Sequence, residues 1–390
     1  MISIGIEKLV ADRPAWVREQ RLGLLCNQAS TDRNFVHSRD LLLQAFPGRL
    51  TCLFSPQHGF FSEKQDNMIE SDHAVDTASG LPVFSLYGET RKPLPAMFDD
   101  IDVLLVDLQD VGTRVYTFIW TVVLCLQTAA ETGKKVVVLD RPNPVGGVLV
   151  EGNLLEREFR SFVGLYEIPM RHGLTMGELA LLCNREMGID CDLDVVKMAG
   201  WQRDMFFTDT GFPWVFPSPN MPTPLTALVY PGQVIWEGTN ISEGRGTTLP
   251  FELVGAPFID PDEVRNALAA VDLPGCLLRS ITFEPTSGKW AGVSCRGFHL
   301  HVTEPAVFLS YRLSLVLLRE LMRLYPDDFV YKKPPYEYEY EKLPMDMILG
   351  SRSVRVALEQ GADMTELEGS WQDRLAEFDE LRKTVLLYRD

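Results

Sequence analysis

Through the first two thirds of the chain, short unbroken apolar runs alternate with longer amphipathic stretches. Arg21-Leu-Gly-Leu-Leu-Cys26, Leu50-Thr-Cys-Leu-Phe54, Val103-Leu-Leu-Val106 and Val136-Val-Val-Leu139 carry almost no polar interruption, the pattern of strands covered on both faces. Between them the periodicity predicts a helix over Tyr116–Thr132 and another opening at Thr175-Met-Gly-Glu178, where Thr and Glu three apart can satisfy each other's orphaned N–H groups. Such alternation predicts an α/β fold with a mostly parallel sheet. From Trp201 to Arg245 the pattern breaks into proline- and glycine-rich, aromatic sequence that reads as an ordered lid or cleft wall. After Pro250 a smaller α+β region follows, with a helix near Asp260–Val271, strands around Ile281–Phe283 and Val293–Val302, and helices near Ala306–Leu324 and Met347–Glu359. The change of pattern divides the chain into residues 1–246 and 247–390.

Each apolar run ends in a polar cluster: Asn27-Gln28, Ser55-Pro-Gln57-His58, Asp107-Leu-Gln-Asp110, and Asp140-Arg141-Pro-Asn143. Ligands of open α/β sheets bind beyond the carboxyl ends of the strands, so the four clusters are expected to meet in one crevice. Turn formation explains any one of them, but not the recurrence of His and Arg.

Composition narrows the class. The 390 residues are 46% hydrophobic and 23% charged, ordinary for a globular protein, and no stretch approaches a membrane span. The start of the chain shows no export signal. Seven scattered cysteines, mostly in apolar runs, are expected to be reduced thiols, so the expected location is the cytoplasm. A net charge of −17 excludes a general nucleic-acid binder and requires that any anionic ligand be met by local arginines.

No glycine fingerprint for dinucleotides, no P-loop and no nucleophile elbow occurs, so no cofactor is expected. His299 and His301 would share a strand face as two metal ligands, but no third is evident and no metal is expected. His58 and His172 each adjoin a glycine in a crevice loop. Glycosyl transfer to water needs carboxyl groups, and the loop carboxylates are Glu63, Glu70, Glu89, Asp107, Asp110, Glu151, Glu237 and Glu243. Glu237 and Glu243 stand out because Asn240 and Arg245 lie among them. Asp110, near Arg114 and Tyr116, is next.

Taken in order, Gly23-Leu-Leu-Cys-Asn-Gln28, Leu53-Phe-Ser-Pro-Gln-His-Gly-Phe60, Ser85-Leu-Tyr-Gly88, Asp107-Leu-Gln-Asp-Val-Gly112, Asp140-Arg-Pro-Asn-Pro144, Arg171-His-Gly173, Ser218-Pro-Asn-Met-Pro222 and Glu237-Gly-Thr-Asn-Ile-Ser-Glu-Gly-Arg-Gly-Thr247 resemble the exo-β-N-acetylmuramidase (NamZ) family over nearly the whole chain. The resemblance implies a Rossmann-like domain followed by a smaller one, with a cleft between them. It also implies removal of non-reducing-end N-acetylmuramic acid from peptidoglycan fragments, as in cell-wall recycling. The partner is then a small carbohydrate, not nucleic acid or membrane. Its lactyl carboxylate would suit a bidentate grip by Arg141, Arg171 or Arg245.

One departure matters. The family pattern carries Glu where this chain has Gln57, and an amide cannot shuttle a proton at neutral pH. Three arrangements are compatible with that. Another carboxylate, Glu89, Glu237 or Glu243, supplies the acid; the substrate's acetamido group assists; or hydrolysis is lost and the protein only binds a muramyl sugar. Asn27, Gln57, His58, Arg114, Tyr116, Arg141, Asn143, Arg171, His172, Asn220, Asn240 and Arg245 are the expected sugar contacts, with Glu243, Glu237, Glu89 and Asp110 the candidate catalytic acids.

Overall fold

The structure is a computed structural model describing residues 2–65 and 68–389. Its strands are β1 (Leu22–Cys26), β2 (Leu50–Ser55), β3 (Ala74–Val75), β4 (Pro82–Ser85), β5 (Val103–Asp107), β6 (Lys135–Leu139), β7 (Glu151–Leu154), β8 (Pro169–Arg171), β9 (Leu193–Val196), β10 (Leu253–Ala256), β11 (Cys276–Phe283) and β12 (Cys295–Val302). Seven of them form one sheet in the order β3-β4-β2-β1-β5-β6-β9, parallel except where β3 runs against β4.

Alternate side chains of each strand enter different apolar layers. Leu24, Leu53, Leu105 and Val137 face one layer with Ile6, Leu9 and Leu42. Leu25, Phe54, Val106 and Val138 face the other, with Ile119, Val122, Leu126 and Leu179. Both faces are covered by helices, which is why the strands read as continuous apolar runs. The expected capping box is formed: Thr175 accepts from Glu178 N at 3.3 Å and Glu178 accepts from Thr175 N at 3.0 Å.

The smaller C-terminal part joins an antiparallel sheet, β10-β12-β11, to helices Ser310–Leu324, Pro344–Leu349, Arg352–Glu359, Met364–Gly369 and Gln372–Lys383. The helix expected over Met347–Glu359 is two helices. Gly350 turns the chain at φ 69°, and Ser351 caps the second by accepting from Val354 N at 3.3 Å. The stretch expected to be loop from Trp201 to Arg245 contains the helix Pro224–Gln233. Pro224 occupies its first turn, where a missing N–H costs nothing, and Thr223 caps it. Strand β9, Leu193-Asp-Val-Val196, lies at the sheet edge with no residue fully buried, so no apolar run marked it.

Several ties hold the two parts together. Gln233 Nε2 donates to Ser314 Oγ at 2.7 Å, Arg382 Nη1 to Gly147 O at 2.8 Å and the Tyr388 hydroxyl to Asp140 Oδ2 at 2.6 Å. Arg114, expected to touch sugar, is fully buried and spends its guanidinium on four carbonyls. Nη1 reaches Asn153 O and Ile168 O at 3.0 and 3.1 Å, and Nη2 reaches Ile348 O and Leu349 O, both at 2.9 Å. Burial lowers its pKa to about 10, which still leaves it charged at neutral pH.

Replacing Arg114 by Met strands these acceptors. The expected loss of unfolding free energy is about 3 kcal/mol or more, read from urea denaturation. A loss below about 1 kcal/mol contradicts the clamp.

Candidate active site

The strand order reverses between β1 and β5, the place where a ligand crevice is expected. Here the protein's own polar groups fill it. Arg141 Nε and Nη2 grip Asp107 at 2.5 and 2.9 Å. Asn27 Nδ2 donates to Pro217 O at 2.8 Å, while its Oδ1 accepts from Ala29 N at 3.0 Å. Asn143 Nδ2 donates to Leu174 O at 2.9 Å and its Oδ1 accepts from Val145 N at 3.1 Å. Arg171 donates to the carbonyls of Phe308 and Val145. Asp110 accepts from Gly112 N at 2.7 Å and lies 3.5 Å from His172 Nε2. These residues brace loops, and none of them lines the pocket described next.

That pocket lies beside the end of β2. Gln57, His58, Tyr116, Asn220, Glu237 and Arg245, all named from sequence, line it together with Thr117, Tyr230, Tyr336 and Glu337. The N-terminus of the helix Phe118–Thr132 supplies Thr117. The room inside is only about 30 Å³. A groove of about 940 Å³ shares Asn220 and Arg245 with it and continues past Thr247 to Phe283 and Ser287. Together they form a narrow polar end and a wide open one.

Gln57 is held on both ends of its amide. Thr117 Oγ1 donates to Gln57 Oε1 at 2.5 Å, so Nε2 points to Glu337 Oε1, 3.2 Å away. The other Glu337 oxygen accepts from the Tyr87 hydroxyl at 2.7 Å. Burial raises the pKa of Glu337 and neighbouring Glu237 adds to the rise, while the Tyr87 and Gln57 hydrogen bonds oppose it without cancelling it.

Glu337 arrives on a tight turn. Tyr336 and Glu339 exchange two backbone hydrogen bonds of 3.0 Å, with Glu337 and Tyr338 between them at φ 45° and 65°. Two positive φ values define the type I′ turn, normally built from Asn and Gly. Side chains there cost conformational energy and cluster at functional sites.

Glu237 is the second buried carboxyl of the pocket. Arg245 Nη2 reaches it at 2.6 Å and the Tyr336 hydroxyl donates to its other oxygen at 2.8 Å. Burial disfavours its charge, but the cation of Arg245, these hydrogen bonds and Lys289 outweigh that and hold its pKa below the usual range. One pocket therefore presents a carboxyl biased toward the proton and a carboxylate biased away from it, the division of labour that acid and anion need in glycosidic cleavage.

The remaining carboxylates stand apart. Glu89, Glu63 and Glu70 are exposed. Glu243 lies behind Arg245, 3.3 Å from its Nε and 2.7 Å from Lys289 Nζ. Glu151 accepts from Arg312 N at 2.8 Å at the start of the helix Ser310–Leu324. Asn240 pins Asp328 O and Val330 N at 2.8 and 3.0 Å. The rings of His299 and His301 lie 4.0 Å apart, tilted by 45°, and share Arg279, 3.1 Å from each. Among the described residues no group of three His, Cys, Asp or Glu is arranged to hold a metal.

Glu337, Tyr87 and Tyr336 were not singled out from sequence. For Glu337 and Tyr336 the signal is the alternation Pro334-Pro-Tyr-Glu-Tyr-Glu-Tyr-Glu341, which looks like a solvated charged strand until the turn places it, while Tyr87 stood only within the motif Ser85-Leu-Tyr-Gly88.

An α/β scaffold presenting two unlike buried carboxyls beside an open groove is a glycosidase architecture. Residues 22–225 match the model described as exo-beta-N-acetylmuramidase NamZ, N-terminal, and residues 228–388 the corresponding C-terminal model. The chain belongs to the exo-β-N-acetylmuramidase NamZ family and is by that membership a glycosidase. It is 42% identical over 387 residues, 99% of this chain and 91% of the relative, to the peptidoglycan beta-N-acetylmuramidase NamZ of Bacillus subtilis (strain 168). Two crystal structures of DUF1343 family proteins from Bacteroides fragilis NCTC 9343 are also similar. One has a TM-score of 0.90 at 33% identity and the other 0.79 at 28%, each match covering 100% of this chain and 99% of that one.

Gln57→Glu places a second carboxyl against Glu337. Two such groups cannot both ionise at that distance, so the pair retains one proton to higher pH. The alkaline limb of the pH–rate profile is expected to move up by about one unit or more. An unmoved limb contradicts the contact between residue 57 and the proton-bearing group.

Proposed function

We propose that the protein releases a non-reducing-terminal N-acetylmuramic acid from small peptidoglycan-derived saccharides, with Glu337 as general acid and Glu237 as the fixed anion. The observation that carries this reading is the pair of buried carboxyls in one pocket whose surroundings bias them in opposite directions.

Glu337 gives its proton to the glycosidic oxygen as the bond from the sugar's C1 breaks. Glu237, paired with the Arg245 cation, is a poor base, but its charge opposes the positive charge that develops at C1. Water then adds to C1, and the ionised Glu337 takes its proton, which restores the starting state. Gln57 holds Glu337 in place and has no proton to exchange. The wide groove gives the leaving saccharide an exit on the side of Asn220 and Arg245. All seven cysteines are free, which suits a reducing compartment and therefore fragments brought into the cell. No helix among the described residues is long and apolar enough to cross a membrane.

Glu337→Gln is expected to slow hydrolysis of a muramyl disaccharide by about 100-fold or more. The same variant should act far closer to the parent rate on a 4-nitrophenyl glycoside, whose leaving group needs no protonation. Equal losses on both substrates contradict the acid role. Glu237→Gln should slow both substrates alike, by about 100-fold or more.

The kcat profile is expected to be bell-shaped. Glu337, with its raised pKa, must be protonated, so activity falls as pH climbs through that value. Glu237, with its lowered pKa, must be ionised, so activity falls on the acid side only below the usual carboxylate range. Glu337→Gln should remove the alkaline limb.

A further inference from the structure

The ligand of the proposed reaction carries a lactyl carboxylate, and a chain of net charge −17 has to meet it with a local cation. Four arginines named from sequence are already committed. Arg141 holds Asp107, Arg245 lies between Glu237 and Glu243, and Arg114 and Arg171 are spent on carbonyl oxygens. None of them has an open fork to offer.

Arg91 does. Its Nε and Nη2 are sealed from solvent and have no hydrogen-bond partner among the described residues. These two atoms form the side-on fork with which this protein grips its own carboxylates. Arg21 uses it on Asp102 at 3.2 and 2.8 Å, Arg141 on Asp107 at 2.5 and 2.9 Å, and Arg355 on Asp346 at 2.5 and 3.2 Å. An Arg–carboxylate pair in this geometry makes two charge-assisted bonds. Buried donors left without acceptors are costly, so a ligand carboxylate would relieve a penalty already present.

Aromatic rings surround the guanidinium. It stacks on Tyr338 at 3.6 Å and faces Tyr87 at 5.0 Å and Phe162 at 5.6 Å. Tyr87 donates to Glu337, Tyr338 follows Glu337 on the strained turn, and Val163, next to Phe162, lines the pocket. Aromatic faces hold a cation in place without neutralising it. No described carboxylate lies within ion-pair distance of Arg91, and the positive charge is near enough to act on Glu337.

We propose that Arg91 is the specificity residue of the site, holding the lactyl carboxylate of the terminal muramic acid by its Nε and Nη2 while Tyr87 and Tyr338 fix the guanidinium plane. This rests on the proposed muramidase reading and adds to it the group that separates a muramyl from a glucosaminyl sugar.

The test uses the full-length protein, its Arg91→Gln and Arg91→Lys variants, and three 4-nitrophenyl β-glycosides: N-acetylmuramic acid, its neutral lactyl amide, and N-acetylglucosamine. The parent is expected to prefer the acid over the amide by about 100-fold in kcat/KM. Arg91→Gln should bring the acid down to the amide's rate, so that the acid-to-amide preference falls from about 100-fold to near parity. Arg91→Lys should recover only part of the preference, because an ammonium lacks the fork. The preference surviving in Arg91→Gln, or an equal loss on all three glycosides, overturns the assignment. A parent that cleaves none of them overturns the muramidase reading itself.

Discussion

A carboxyl group carried by the C-terminal part is sealed against the end of an N-terminal strand, and the site depends on that contact. Glu337 takes a hydrogen bond of 3.2 Å from Gln57 and one of 2.7 Å from Tyr87. Neither part contains this arrangement alone. Desolvation, which raises the pKa of Glu337, comes from closing the two surfaces together. So does the proximity of Glu237, whose charge adds to the same effect. The Arg114 clamp and the return of the last helix to Gly147 therefore bear on chemistry as well as stability. The turn holding Glu337 and Tyr338 at positive φ is tolerated because both side chains are used, one toward the pocket and one against Arg91.

The scaffold was legible because its signals are local. Strands β1, β2, β5 and β6 showed as apolar runs, and the Thr175–Glu178 cap could be read from a spacing of three. The loop around Gln57 was correctly located at a strand end, and Glu237 and Arg245 showed as an acid and a cation within one glycine-rich segment. Glu337 could not be found in this way. It meets Gln57 across 280 positions of chain, and a type I′ turn built without Asn or Gly carries no sequence flag.

Arginines and asparagines were hardest to read, for a physical reason. A guanidinium that clamps buried carbonyls and one that awaits an anion have the same sequence signature, and only the acceptors around them differ. Arg114, Arg141 and Arg171 fell on the bracing side, as did Asn27 and Asn143, whose amides close the crevice at the point of strand reversal. The polar clusters at the ends of β1 and β6 thus brace loops outside the pocket, while Gln57 and His58 after β2 line it.

The amide at position 57 acquires a meaning in this arrangement. Gln57 sets a neutral donor 3.2 Å from Glu337, where a second carboxyl would share and compete for the proton. The most direct measurement of that claim is a crystal structure of Glu337→Gln with an uncleaved muramyl disaccharide. The amide of residue 337 is expected within hydrogen-bonding distance of the bridging glycosidic oxygen, with Glu237 facing the muramyl C1. A bridging oxygen instead contacted by another carboxyl, with residue 337 remote from it, would contradict the acid role of Glu337.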